Sequence, residues 1–184
     1  MSTETPSQTI GPFFAVLLPF ASNELVPPGA PDAIELRGRV TDGAGAPVAD
    51  ALIELWQANE FGRYANPADD RELPLREGFS GFGRCPTNER GEYRFVTVLP
   101  GAVPYDSERH QAPHLSLTLF ARGLLRELRT RVYFAGEPRN AHDPVLGELA
   151  DDARATLIAA AEAPGVFRFD IRLQGERETQ FFVF

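Results

Sequence analysis

Lysine is absent from this chain, and all eighteen of its basic residues are arginine. That removes a Schiff base to a carbonyl substrate, a pyridoxal phosphate anchor and the Gly-Lys-Ser/Thr of a phosphate loop. Cysteine is reduced to Cys85, so an intrachain disulfide and a Cys-x-x-Cys site for zinc or redox work are excluded. Such a chain suits a reducing compartment, the cytoplasm. No Gly-x-Ser-x-Gly elbow presents a serine nucleophile. The longest apolar run, residues 13–20, is about eight residues long where a membrane span needs about 20. The first ten residues carry no basic segment, so neither a targeting signal nor a membrane anchor is expected. Positive charge is also scarce, with 18 basic against 26 acidic residues and a net charge of -8. A nucleic-acid partner, which needs a basic stripe, drops out.

What the 184 residues do contain is 16 prolines and 16 glycines between short runs rich in β-branched and aromatic side chains. That punctuation predicts an all-β domain, a two-sheet β-sandwich of about seven to eight strands with long loops and one peripheral helical segment. One domain over residues 1–184 is expected, with an N-terminal arm and loop at 1–33 and the sandwich at 34–184. Residues 34–40 alternate, setting Ile34, Leu36 and Val40 against Glu35, Arg37 and Arg39. Residues 48–57 are apolar on both faces and read as a central strand. Further strands are predicted at 92–98, 114–121, 128–134, 167–173 and 179–183. A helical insertion is expected near 143–161, opened by Asp143-Pro144 and ended by Ala163-Pro164-Gly165. Between residues 59 and 82 the strand pattern fails, and loops of that length are usually functional or disordered.

The acidic pairs Asp69-Asp70 and Asp151-Asp152 sit in polar surroundings and read as solvated surface. Cys85 reads as a small buried side chain. The remaining candidates for chemistry are Tyr64, Tyr105, His110 and His114, since phenolate oxygen and imidazole nitrogen together suit a hard ferric ion. A His-x-His pair on one strand face would clamp a metal, but the partner of His114 at that spacing is Ser116, a poor iron ligand. Taken alone, His114 reads first as a hydrogen-bonded structural histidine. On residue chemistry the four candidates leave a damaged metal site as an open alternative.

Several blocks then carry a family resemblance. They are Glu4-Thr5-Pro6-Ser7-Gln8-Thr9-Ile10-Gly11-Pro12-Phe13, Ile53-Glu54-Leu55-Trp56-Gln57-Ala58-Asn59, Gly62-Arg63-Tyr64, Phe82-Gly83-Arg84, Leu99-Pro100-Gly101, Ala112-Pro113-His114 and Arg131-Val132-Tyr133-Phe134. With the segment from Phe167 to Gly175 they span nearly the whole chain, which resembles the intradiol aromatic-ring dioxygenases. The resemblance implies ferric iron held by two tyrosines and two histidines, from Gly-Arg-Tyr, Pro-Gly-Pro-Tyr and His-x-His. Tyr64 matches the first tyrosine and His114 the first histidine. Val103 stands at the second tyrosine, Ser116 at the second histidine, and Gln111 at a pocket arginine.

Such a pattern resembles the iron-free subunit of a heteromeric member, which pairs with an iron-bearing β subunit of the same fold. The resemblance therefore implies Fe3+ in the partner, no metal in this chain and no catalytic residue of its own. It further implies opening of a 3,4-dihydroxybenzoate ring by O2 between the hydroxyl-bearing carbons. Thr9, Gly11, Pro12 and Arg122 would complete the substrate pocket across the interface, with Arg122 holding the substrate carboxylate. Residues 13–20 and the tail Phe181-Phe182-Val183-Phe184 would help bury that interface. Two other readings stand beside this one. The first is a self-sufficient ring-cleaving enzyme using Tyr64, Tyr105, His110 and His114, and the second a β-sandwich binding module, since the turn and strand around Asp42 to Leu55 recur in such domains.

Overall fold

The computed structural model describes residues 21–183. In chain order the strands are β1 (Ala33–Thr41), β2 (Leu52–Trp56), β3 (Phe82–Pro86), β4 (Glu92–Val98), β5 (Val103–Pro104), β6 (His110–Gln111), β7 (His114–Phe120), β8 (Leu128–Phe134), β9 (Ile158–Ala163), β10 (Val166–Arg168) and β11 (Ile171–Arg172). Two layers result. In one, β4 pairs antiparallel with β1, and β10 and β11 lie parallel to β1. In the other, β3, β2, β7 and β8 run antiparallel in that spatial order.

The alternation read from sequence sets the layers face to face. Ile34, Leu36 and Val40 of β1 and Phe95 of β4 meet Ile53 and Leu55 of β2 and Leu115, Leu117 and Leu119 of β7 in one core cluster. Each such side chain fully removed from water contributes about 1.5–3 kcal/mol. Because side chains alternate along a strand, burying those three leucines turns His114 and Ser116 to the opposite, outer face of the same sheet. The site is built there.

β9 joins the layers at a corner. Its first residues, Ile158 and Ala159, pair with Tyr133 and Phe134 of β8, whereas Ala160 and Ala161 pair with Arg168 and Phe167 of β10. This corrects the expected helical insertion at 143–161. A short 3-10 turn (Pro138–His142), α1 (Pro144–Gly147) and α2 (Asp151–Ala155) are all the helix the segment forms. Alanine favours a helix by only tenths of a kcal/mol per residue over most others, and strand pairing at a fully buried Ala159 outweighs that. The start signal was read correctly: Asp143 Oδ1 accepts from the Val145 and Leu146 amides at 2.9 and 2.8 Å.

Two further differences have local causes. The 167–173 strand is interrupted at Phe169 and Asp170, where Asp170 Oδ1 accepts the Arg39 amide at 2.9 Å. The 179–183 strand reduces to a single bridge between Phe182 and Arg129. Phe181 packs on the main core and Phe182 on the cluster around Tyr133, so these two rings are engaged by their own chain. Strand β3 was missed in the sequence because Gly83 and Pro86 break its alternation. Gly83 is required there, since a Cβ would lie 2.7 Å from the Ser22 carbonyl oxygen.

Gly38 sits in β1 where the interruption crosses it. A Cβ at this position would stand 1.8 Å from the Phe169 carbonyl oxygen, which also accepts the buried Tyr93 hydroxyl at 2.6 Å. Gly38→Ala is therefore expected to cost about 3 kcal/mol or more in urea unfolding, because backbone rather than a flexible side chain must move. Gly147→Ala, in a helical turn with open space around the added methyl, should be neutral or stabilise by up to about 1 kcal/mol. Equal costs at the two positions would refute the close-approach account.

Candidate functional site

The outer face of the β2–β7–β8 sheet is covered by loops whose path depends on Asn59. This residue is 2% exposed, and its Oδ1 accepts from the Phe61 and Arg63 amides, both at 3.0 Å, while Nδ2 donates to the Pro74 carbonyl at 2.8 Å. Its carbonyl accepts the Gly62 and Gly101 amides at 2.9 and 2.8 Å. Gly62 has φ +79°, and a Cβ there would lie 2.2 Å from the Ala102 carbonyl oxygen. Only glycine lets the two loops touch.

That contact delivers Tyr64 onto Trp56, with ring centroids 5.7 Å apart and planes 5° from parallel. Asp69 fixes the next turn. Its carboxylate accepts the Tyr64 amide at 2.8 Å and pairs with Arg71 at 2.6 Å, and Arg71 donates to the Gly62 carbonyl at 2.7 Å. The Arg71 hydrogen bond holds the Asp69 carboxyl well below the usual carboxylate range. The sequence reading of Asp69 as solvated surface is thereby corrected, since its side chain is 8% exposed and serves as an anchor.

Between these loops and the sheet lies a cavity of about 500 Å³, lined among others by Trp56, Tyr64, Asp69, Arg71, Val103 and Gln111. Val103 and Gln111 face each other across the β5–β6 pair. Tyr64, Val103 and Gln111, three positions marked by the family pattern, therefore converge on one cavity. Ser116 lies directly opposite Trp56 on one side and Arg131 on the other. His114, opposite Tyr133, sits one step along the same face. Tyr105 and His110 do not join this lining: Tyr105 is 42% exposed with the Arg109 guanidinium 4.7 Å from its ring centre, and His110 is exposed.

His114 is buried against Tyr133, ring centroids 5.5 Å apart, and its Nδ1 lies 2.8 Å from the Ala112 carbonyl oxygen. A carbonyl only accepts, so Nδ1 carries the proton and Nε2 the lone pair. Burial first, and then the Arg131 charge, lower the imidazole to about 4. The Tyr133 hydroxyl donates to Asp143 Oδ1 at 3.2 Å, and burial raises its phenol. Asp143 also takes the Ala112 amide at 2.6 Å, so one carboxylate ties the β6–β7 junction, β8 and α1 together. Burial likewise raises Tyr64, with Arg131 and Arg71 pulling against it.

Arg131 stands in the sequence within the Arg131-Val132-Tyr133-Phe134 block. In the structure its Nη1 donates to Gln111 Oε1 and, at 3.3 Å, to the Tyr133 hydroxyl. A ferric ion is poorly served by this set: one phenol kept protonated by burial, one imidazole, a valine, a serine and a guanidinium. The positions expected to complete the substrate pocket divide. Thr9, Gly11 and Pro12 lie outside the described residues, as does the 13–20 run. Arg122 lies past the far end of β7, with a 72% exposed side chain whose Nε is 3.0 Å from Asp50 Oδ2. The six residue steps from His114 to Phe120 alone span roughly 20 Å, so Arg122 does not serve this cavity.

A family model described as Dioxygenase matches residues 19–175, and the chain belongs to that dioxygenase family. The particular relatives bear out the resemblance to ring-cleaving intradiol enzymes. The chain is 40% identical to the protocatechuate 3,4-dioxygenase alpha chain of Burkholderia cepacia over 97% of this chain and 96% of that one. It is 37% identical to the beta chain from the same organism, over 80% and 67% of the two. Among solved structures, the dioxygenase domain of a carbohydrate-binding fusion from Streptomyces sp. SirexAA-E superimposes with a TM-score of 0.59 at 26% identity, covering 97% of this chain and 100% of that domain. Hydroxyquinol 1,2-dioxygenase from Pseudomonas putida DLL-E4 shares the fold, with a TM-score of 0.63 at 20% identity over 93% of this chain and 67% of that one. The family match over residues 19–175 counts against the alternative of a β-sandwich binding module outside this family.

The burial of His114 has a pH consequence. With the imidazole near 4 in the folded chain and 6.5 when exposed, the unfolded chain binds the extra proton between those values. Stability is then lost as pH falls from about 6.5 to 4, on the order of 3 kcal/mol in all and about 2 kcal/mol between pH 7 and pH 5. Denaturation series for the wild type and His114→Gln should differ by a slope of this size in that window. Parallel slopes would show that His114 is not the group responsible.

Proposed function

We propose that this chain is the α subunit of a heteromeric protocatechuate 3,4-dioxygenase acting in the cytoplasm, with ferric iron held by a partner β subunit of the same family. The observation that carries this reading is the coincidence of near full-length likeness to named alpha chains with Val103 in the cavity lining and Ser116 on the sheet face beside Trp56, at two of the four positions where the family resemblance implies iron ligands. The reaction is cleavage of 3,4-dihydroxybenzoate by O2 between the two hydroxyl-bearing carbons to 3-carboxy-cis,cis-muconate, both oxygen atoms ending in the product. Ferric iron, when bound in the partner, would supply the activation of the catecholate toward O2. A self-sufficient site using Tyr64, Tyr105, His110 and His114 is disfavoured because Tyr105 and His110 do not line the cavity that holds Tyr64.

This chain's own part is to shape the partner's pocket. Arg122 suits that role, as a permanently charged fork anchored by Asp50 at the end of the sandwich remote from the chain's own cavity. It would hold the substrate carboxylate, and Thr9, Gly11 and Pro12 would supply rigid backbone against the ring.

Co-expression with a β chain that keeps an intact His-x-His tests the reading. A co-purifying complex that consumes O2 with protocatechuate is expected, whereas this chain purified alone should be colourless and without iron. Stoichiometric iron and a tyrosinate charge-transfer band in the chain alone would overturn it. Within the complex, Arg122→Ala should lower kcat/KM for protocatechuate by roughly ten- to a hundredfold, the loss of one charge-assisted hydrogen bond. Catechol, which has no carboxylate, should be affected much less, and equal losses for both would assign Arg122 to the interface instead.

A further inference from the structure

Behind the cavity, joined to its lining through Gln111, the sheet carries a fixed cation. Arg131 of β8 stands in register with Ser116 of β7, and directly opposed residues share a face with their Cβ atoms about 5 Å apart. Its guanidinium is fixed from several sides: Nη1 donates to Gln111 Oε1 and, at 3.3 Å, to the Tyr133 hydroxyl, and the Phe182 ring lies below it, 6.0 Å from Cζ to centroid. Gln111 in turn is held by its Nε2 on the Pro104 carbonyl at 2.9 Å. The cation thus links β8, the β5–β6 pair that carries Val103, and the C-terminal tail. Its charge also acts on both Tyr64 and His114, the two donors that remain of the family set.

We propose that Arg131 is the fixed cation behind this cavity: it takes the electrostatic role of a metal ion, ties the walls together through Gln111 and Tyr133, and bars a metal even where the missing ligands are supplied. The proposal rests on the reading of this chain as the metal-free subunit and adds a cause to it. Loss of two ligands weakens a site, whereas a fixed positive charge beside the remaining donors opposes a ferric ion directly. Arginine cannot shed its proton to relieve that opposition.

The test uses the full chain and ferric nitrilotriacetate, with bound iron and the phenolate charge-transfer band as readouts. Three variants carry Val103→Tyr and Ser116→His, one with Arg131 unchanged, one with Arg131→Lys and one with Arg131→Gln. The first two should take up iron no better than the wild type. The Arg131→Gln form should bind roughly a hundredfold more tightly than they do. Equal binding by the Arg and Gln forms, with an iron-free wild type, overturns the role of Arg131 and leaves the subunit reading standing. Iron in the wild type would overturn the subunit reading itself.

A second measurement does not require the altered sites to fold around iron. In the otherwise unchanged chain, Arg131→Gln should speed amide hydrogen exchange across residues 103–112 while leaving β1 and β4 protected. Unchanged exchange in 103–112 would show that the guanidinium ties nothing together and would overturn that part of the proposal.

Discussion

Folding the leucines of β7 into the core turns His114 and Ser116 outward and sets them beside Tyr133 and Arg131 of β8. Covering that face removes polar groups from water, and each then needs a partner or costs several kcal/mol. The surrounding structure answers that constraint. Asp143 meets the Tyr133 hydroxyl and caps α1 with the same carboxylate, the Ala112 carbonyl meets His114 Nδ1, and Gln111 meets Arg131. The helical segment and the β5–β6 pair are where they are because these partners must reach the outer face.

The loop side obeys a steric rule instead. Asn59 gathers the backbone of its own turn around its side chain and takes the Gly101 amide on its main-chain carbonyl, and Gly62 meets the Ala102 carbonyl where no Cβ would fit. Tyr64 is therefore placed by a clasp between two loops far apart in sequence. A substitution at Gly62 or Asn59 would move Tyr64 without touching it.

Much of this was legible in the sequence wherever one strand face was apolar. The spans of β4 and β8 and the buried positions of β1 follow from period-two alternation, and the Asp143-Pro144 start follows from capping chemistry. β9 was not legible, because an alanine run has no alternation to read and its strand state depends on neighbours supplied by β8 and β10. Nor was the anchoring role of Asp69, whose partners Arg71 and the Tyr64 amide matter only once the loop is closed. The family motifs located the positions of Tyr64, Val103, His114 and Ser116. They could not reveal Arg131, twenty residues from Gln111, because that contact exists only through the β7–β8 register and the return of the β5–β6 pair.

A chain with no lysine places its permanent cations as arginine, and the geometry explains why arginine suits this position. The guanidinium is flat and presents several donors in a fixed fork, so it reaches Gln111 and Tyr133 together while its face rests on the Phe182 ring. An ammonium would bring the same charge but concentrate it at one strongly hydrated point, with less to gain from the aromatic face. The fork is also what binds separate strands, since a single rigid group shared by β6 and β8 restricts both at once. A metal ion does this in a related way, drawing donors from different elements onto one centre. With Arg131 the centre is a side chain, so its hold on Gln111, Tyr133 and the Phe182 ring is encoded covalently.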